Sequence, residues 1–294
     1  MSQELTAAAR TLLERYRGCN PGGFSPTELE AVEFFWTDRP TPRVPLSYEP
    51  GLAIILSGKK IGHLDGQRFE YGEGSYLAVG LPLIFECETQ ASAEAPLFGL
   101  FLRFRPAELQ ELKGLLERDS AQRPPKASSL GVEPLTVSPI MKEAITRLVR
   151  QLCQPHEAAA LGPGTLREIF FHALQDSHGR VLLSLTQLSR PEARIAQLLR
   201  RIEARGDLVW NVDAMAKDAG MSPASLHRHF KCVTGYPPLQ YFKRQKLMRA
   251  RQLLTSERTS VAQAAHAVGY ASAAHFSRDF RKLFGHPPSL ARSM

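Results

Sequence analysis

The sequence predicts an α+β protein in two parts: a small β-sandwich or barrel with flanking helices, followed by an all-helical domain. Three observations carry this. Short apolar runs broken by Gly-containing turns fill about residues 46–104. Helical apolar periodicity replaces them from about residue 106. Near the end of the chain one segment recurs, first as Val212–Pro238 and then as Val261–Pro288.

The β part comes first. Residues 1–40 read as a helical arm followed by an extended stretch rich in Pro and polar residues. The runs Leu52–Leu56, Phe69–Tyr71, Tyr76–Val79, Leu83–Cys87 and Phe98–Phe104 then read as strands, with Asp65-Gly66 as a hairpin turn. Leu52, Ile54, Ile84 and Phe98 are expected to line the interior. Helices follow. Pro106 to about Arg118 carries Leu109, Leu112, Leu115 and Leu116. Pro139–Leu152 sets Met141, Ile145, Leu148, Val149 and Leu152 on one stripe, and Thr165–Leu174 repeats the pattern. These two stripes either cover the open side of the β part or close an isologous four-helix contact with a second copy, so the chain is expected to form a homodimer through Met141, Ile145, Leu148, Val149 and Leu152. The expected domains are 1–180 (barrel about 46–104, helices about 106–175), a linker at 181–190, and 191–294.

Composition bounds the function. The 294 residues are 43% hydrophobic and 22% charged, ordinary for a globular chain of about two domains. The apolar runs are too short to span a bilayer, and Met1–Tyr16 lacks the form of a signal peptide, so a cytoplasmic protein without a membrane partner is expected. Charge is divided unevenly. From Pro191 onward there are 17 Lys/Arg against 7 Asp/Glu, a net of +10, while the first 190 residues carry 20 against 22, a net of −2. A basic domain attracts phosphate polyanions.

The repeat gives that charge a form. In each copy a Val opens a short Ala-rich helix, and Gly220 or Gly269 follows eight residues later. After a turn, a second helix carries an apolar pair, Leu226/Phe230 or Phe276/Phe280, and ends at Gly235 or Gly285 before two prolines. Small residues let helices pack closely, Gly permits the sharp turn, and the i, i+4 pair anchors the second helix. The outward face is polar and cationic: Ser225, His227, Arg228 and Lys231, then His275, Ser277, Arg278, Arg281 and Lys282. Such a face on an anchored helix suits the major groove of double-stranded DNA. Between the copies, Leu239–Thr255 should be one helix whose Lys243 and Arg244 contact phosphates. At 1.5 Å per residue it would span roughly 25–30 Å, near the pitch of one DNA turn.

The run from Lys246-Leu247 through Ala250, Leu254, Val261, Ala264-Ala265, Gly269-Tyr270, Phe276, Phe280 and Gly285 to Pro287-Pro288 fixes many spacings at once. On it, the C-terminal hundred residues resemble the AraC/XylS transcription regulators. The resemblance implies two helix-turn-helix units joined by a long helix, with base reading at Ala224, His227 and Arg228 and at Ala274, His275 and Arg278. The two alanines can offer only an apolar contact to a thymine methyl. In the N-terminal half, Tyr48-Glu49-Pro50-Gly51-Leu52-Ala53, Gly58-Lys59-Lys60, Phe69-x-Tyr71-Gly72-x-Gly74 and Tyr76-Leu77 are similar to the effector or dimerisation domain of one branch of that family. This implies a cupin-like barrel, a small-molecule effector of no particular chemistry, and RNA polymerase as a partner of a bacterial regulator bound to promoter DNA.

Enzyme readings find little. A cupin metal site needs several His with Glu, and the β part offers only His63. Cys19, Cys87, Cys153 and Cys232 are scattered, unlike a zinc cluster or an alkyl-accepting thiol site. No nucleophile–base set or phosphate-cradling Gly motif stands out. No catalytic residue, metal or cofactor is therefore expected. The remaining rival is a sequence-indifferent architectural DNA binder, which two differently equipped reading helices argue against.

Overall fold

A computed structural model describes residues 3–17, 22–119, 131–175, 191–205, 211–256 and 259–292. The expected 181–190 linker, Cys19, and the loop after Asp119 lie outside the described residues. After helix α1 (Gln3–Arg17), the described residues of the N-terminal half form ten strands. They are β1 (Gly23–Pro26), β2 (Val32–Thr37), β3 (Thr41–Tyr48), β4 (Gly51–Ser57), β5 (Lys59–Leu64), β6 (Gln67–Gly72), β7 (Ser75–Val79), β8 (Leu83–Gln90), β9 (Leu97–Arg103) and β10 (Val132–Thr136). One antiparallel sheet runs β1-β2-β9-β4-β7-β10 and the other β3-β8-β5-β6. The architecture is α+β as expected, with two sheets in place of a closed barrel.

Strand β4 explains the layering. Its residues Leu52–Leu56 are all buried, so it reads as a continuous apolar run. Leu52, Ile54 and Leu56 face a helical layer, while Ala53 and Ile55 face the space between the sheets. The expected interior set is thereby corrected. Leu52, Ile54 and Phe98 pack against helices. The inter-sheet space is lined instead by residues such as Phe35, Tyr48, Tyr71, Phe85 and Phe101. The Asp65-Gly66 hairpin forms as expected, with φ of 48° and 76°, between β5 and β6. The β part begins earlier than the sequence suggested. β1 and β2 occupy the stretch read only as extended, and Pro42 and Pro45 are tolerated because β3 is an edge strand.

The helical layer comprises α1, α2 (Pro106–Asp119), α3 (Pro139–Leu152) and α4 (Pro155–Gln175). Ser138 caps α3 by accepting from the Met141 amide, and Pro139 occupies its first turn. Met141, Ile145, Leu148, Val149 and Leu152 are each at most 2% exposed and pack against α1, α4 and the sheet. This corrects their expected place in a dimer interface: the stripe is consumed by the core of a single chain, leaving nothing for a second copy to cover. Of the two readings, the stripe that closes one side of the β part is the one observed.

Among the described residues the C-terminal part is helical: α5 (Pro191–Arg205), α6 (Val212–Asp218), α7 (Pro223–Thr234), α8 (Pro238–Ser256), α9 (Val261–Ala267), α10 (Ala273–Phe284) and a 3-10 turn (Pro288–Arg292). It holds two cores. Leu226, Phe230, Val233, Tyr241 and Phe242 join a cluster continuous with the inter-sheet core, whereas Leu247, Leu254, Phe276, Phe280 and Phe284 form a separate one. The first unit is thus docked on the N-terminal half. The Tyr241 hydroxyl donates to the Pro82 carbonyl at 2.8 Å, and the Gly131 amide donates to the Val233 carbonyl at 2.9 Å. Among the described residues no helix is long and apolar enough to cross a membrane.

Candidate nucleic-acid interface

Each reading helix is set by the same local chemistry. In the first unit, Asn211 caps α6 by accepting from the Asp213 and Ala214 amides. Gly220, at φ 62°, makes the turn, and Ser222 caps α7 ahead of Pro223. In the second, Ser260 and Gln263 form a reciprocal capping box on α9, and Ser272 caps α10. Leu226, Phe230, Phe276 and Phe280 are completely buried, which fixes the rotation of each helix about its axis. The Phe230 ring packs edge-on against Tyr241 at 5.4 Å, and Phe280 lies 5.5 Å from Phe276 and 4.4 Å from Phe284.

That rotation exposes Ala224, His227, Arg228 and Lys231 on α7, with Ser225 half-buried. On α10 it exposes Ala274, His275, Arg278, Arg281 and Lys282, with Ser277 half-buried. Arg278, Arg281 and Lys282 have no ion-pair partner among the described residues. The Arg228 guanidinium lies 3.4 Å from the His229 ring. These two faces can present forked donors to base edges and to phosphates.

Three cations of the expected set are engaged within the chain. Lys243 Nζ sits 2.6 Å from Asp279 Oδ1. Arg244, half-buried, lies 3.7 Å from Glu86 and stacks over the Tyr236 ring at 4.3 Å. Lys231 Nζ is 3.9 Å from Asp65. Asp65 and Glu86 belong to the N-terminal half, and Arg43 and His63 join them around an open groove of about 410 Å³ between the two parts. His63 itself meets Glu88 at 2.6 Å.

Sequence reasoning missed these carboxylates. Asp279 carried a signal, being the sole acidic residue from Thr259 to the end of the chain. It is 8% exposed and accepts from the Tyr270 hydroxyl at 3.1 Å, with His275 Nε2 at 3.4 Å. Burial works to raise its carboxyl pKa, but hydrogen bonding from Lys243 and the charge beside it outweigh burial and hold it below the usual value. Burial and the Asp279 charge push the Tyr270 hydroxyl up.

A second polar cluster lies between the sheets. Tyr48 and Tyr71 share a hydrogen bond of 2.6 Å, with Cys87 Sγ at 3.4 and 3.8 Å. The Lys60 ammonium rests 5.7 Å from the Tyr48 ring centre and 5.8 Å from that of Phe35. Burial lowers the Lys60 pKa and raises those of Tyr48, Tyr71 and Cys87.

Comparison with known proteins adds the following. Residues 28–181 match the family model described as the AraC-type transcriptional regulator N-terminus, and residues 215–294 match a helix-turn-helix domain. The thermoregulatory protein LcrF of Yersinia pestis is 26% identical over 270 residues, spanning 90% of this chain and 96% of that one. The HTH-type transcriptional activator RhaS of Escherichia coli is 34% identical over 152 residues, 50% of this chain and 52% of RhaS. The fold is that of ToxT from Vibrio cholerae, solved with an unsaturated fatty acid bound: TM-score 0.60, 11% identity, 94% of this chain and 96% of ToxT covered.

Proposed function

The chain belongs to the AraC family of transcription regulators, and from that premise we propose that α7 and α10 enter successive major grooves on one face of promoter DNA. Sequence-specific DNA binding in the service of transcription regulation is the activity of the family, and its relatives LcrF and RhaS are a thermoregulatory protein and an activator. The observation that carries the reading is the matched pair of anchored helices. Each buries its apolar pair completely and turns an Arg, Arg228 or Arg278, outward from the equivalent position. In this reading Arg228, His227, Arg278 and His275 read base edges, with Ala224 and Ala274 against thymine methyls. Ser225, Lys231, Ser277, Arg281 and Lys282 hold phosphates and set the register.

The N-terminal half supplies regulation. In this reading the contacts that hold the first reading unit, at Tyr241 and Val233, carry a change in the sheets of this half to α7. A small-molecule effector would act from the inter-sheet space, where Lys60 is a cation without a carboxylate partner among the described residues. A homodimer formed through surfaces other than α3, and RNA polymerase as the recipient of the signal, complete the proposal. The test is selection from a random DNA pool by the full-length protein. An asymmetric site of two half-sites is expected, bound at least about 10³-fold more tightly than bulk DNA. A flat specificity ratio would return the chain to architectural binding.

A further inference from the structure

We propose that the Asp279–Lys243 ion pair is a strut that fixes the setting of the second reading helix against the first, making Asp279 a determinant of half-site spacing. The proposal rests on both units contacting DNA. The two helix-turn-helix units have separate cores, and the described chain between them is the single helix α8. That helix enters the first core at Phe242 and the second at Leu247, and α10 also meets β3 of the N-terminal half, so the ion pair sets the second unit alongside these contacts. Lys243 follows directly on Tyr241 and Phe242, which belong to the first unit's core and to its contact with the N-terminal half. Asp279 stands on α10, among the reading residues of the second unit. Their contact at 2.6 Å therefore joins the firmly held end of α8 to the far reading helix.

The same carboxylate also ties down its own unit. Tyr270, in the turn of the second helix-turn-helix, donates to Asp279 at 3.1 Å, and the exposed His275 ring stands beside it at 3.4 Å. A carboxylate that is 8% exposed and accepts from two directions is a defined geometric joint, unlike a mobile surface pair. The device is not repeated. The position equivalent to Asp279 in the first copy is His229, and that unit is held by the N-terminal half, which meets α10 as well at β3. Lys243 is accordingly a positioning residue, with its charge already committed before DNA arrives.

The experiment compares Asp279→Asn and Lys243→Gln in the full chain, on the site selected by the unaltered protein. One set of probes carries one base pair inserted between the half-sites, a relative rotation of roughly 35°. The unaltered protein should lose at least about tenfold in affinity on insertion, and each variant less than about threefold. The double variant should be no less discriminating than either single one. Non-specific affinity separates this from simple electrostatics: Asp279→Asn should raise it and Lys243→Gln lower it. A strut thus predicts effects of the same sense on spacing and of opposite sense on bulk DNA. Lys243 is about half exposed, so its variant keeps the test open even if Asp279→Asn fails to fold. Full retention of the insertion penalty in Lys243→Gln, or opposite effects of the two variants on spacing, would overturn the proposal. A probe with the second half-site scrambled tests the premise separately: if the unaltered protein binds it without loss, two-unit reading fails.

Discussion

Gly235 and Gly285 end the two reading helices in the same way, with φ of 77° and 80° and amides donating to Lys231 and Arg281 carbonyls. Replacing either with Ala forces an L side chain into the left-handed region, at about 1–2 kcal/mol. The surroundings differ. A Cβ on Gly285 meets nothing within 4 Å. On Gly235 it would stand 2.5 Å from Leu64 Cδ1 and 3.0 Å from Leu64 Cγ. Leu64 is 1% exposed and has no room to swing away, so overpacking adds about 1–3 kcal/mol. Gly235→Ala should therefore destabilise the full-length protein by about 2–5 kcal/mol and Gly285→Ala by about 1–2. Urea unfolding followed by circular dichroism measures both. The comparison isolates the docking of the first unit on the N-terminal half, because Leu64 belongs to that half. Equal losses for the two variants would refute the docking.

Arg228→Ala and Arg278→Ala should each weaken the selected site by about 1–3 kcal/mol and relax preference only within their own half-site, read by binding to a panel of single-base variants. Ile145→Asp or Leu148→Asp places a carboxylate in the core and should destabilise the N-terminal half by well over 3 kcal/mol. A folded variant that merely loses self-association, seen by sedimentation, would return that stripe to a subunit interface. The depressed Asp279 carboxyl gives a pH dependence of definite sign. Its stabilisation is present above the unfolded pKa, near 3.8, and is lost as the pH falls through the lower folded value. The melting-temperature gap between the unaltered protein and Asp279→Asn should hold from pH 7 to about pH 5 and close below about pH 4.

The C-terminal architecture was legible because its signals are local. The apolar pairs at i and i+4, the Ser-Pro and Asn caps and the Gly ends all lie within a dozen residues of what they specify. The stripe on α3 was equally clear as a pattern, but periodicity names a buried face without naming its partner. Strand β2, VEFFWT, is covered on both faces and shows no clean alternation. β10 pairs with β7 across more than fifty residues of chain, so no local turn announces it. The engaged cations were hidden for the same reason. Lys243 and Arg244 read as phosphate contacts and Lys231 as part of the outward reading face, and their carboxylates come from α10, β8 and the β5–β6 turn.

The central claim is that two reading helices of one chain enter successive major grooves on one face of the duplex. Dimethyl sulfate attacks guanine N7 in the major groove, so protection of a selected, guanine-containing site by the full-length protein tests it directly. The account predicts two patches of protection centred about 10–10.5 base pairs apart. It further predicts that Arg228→Ala and Arg278→Ala each abolish one patch and spare the other. A single patch, or two patches about half a turn apart on opposite faces, would contradict it.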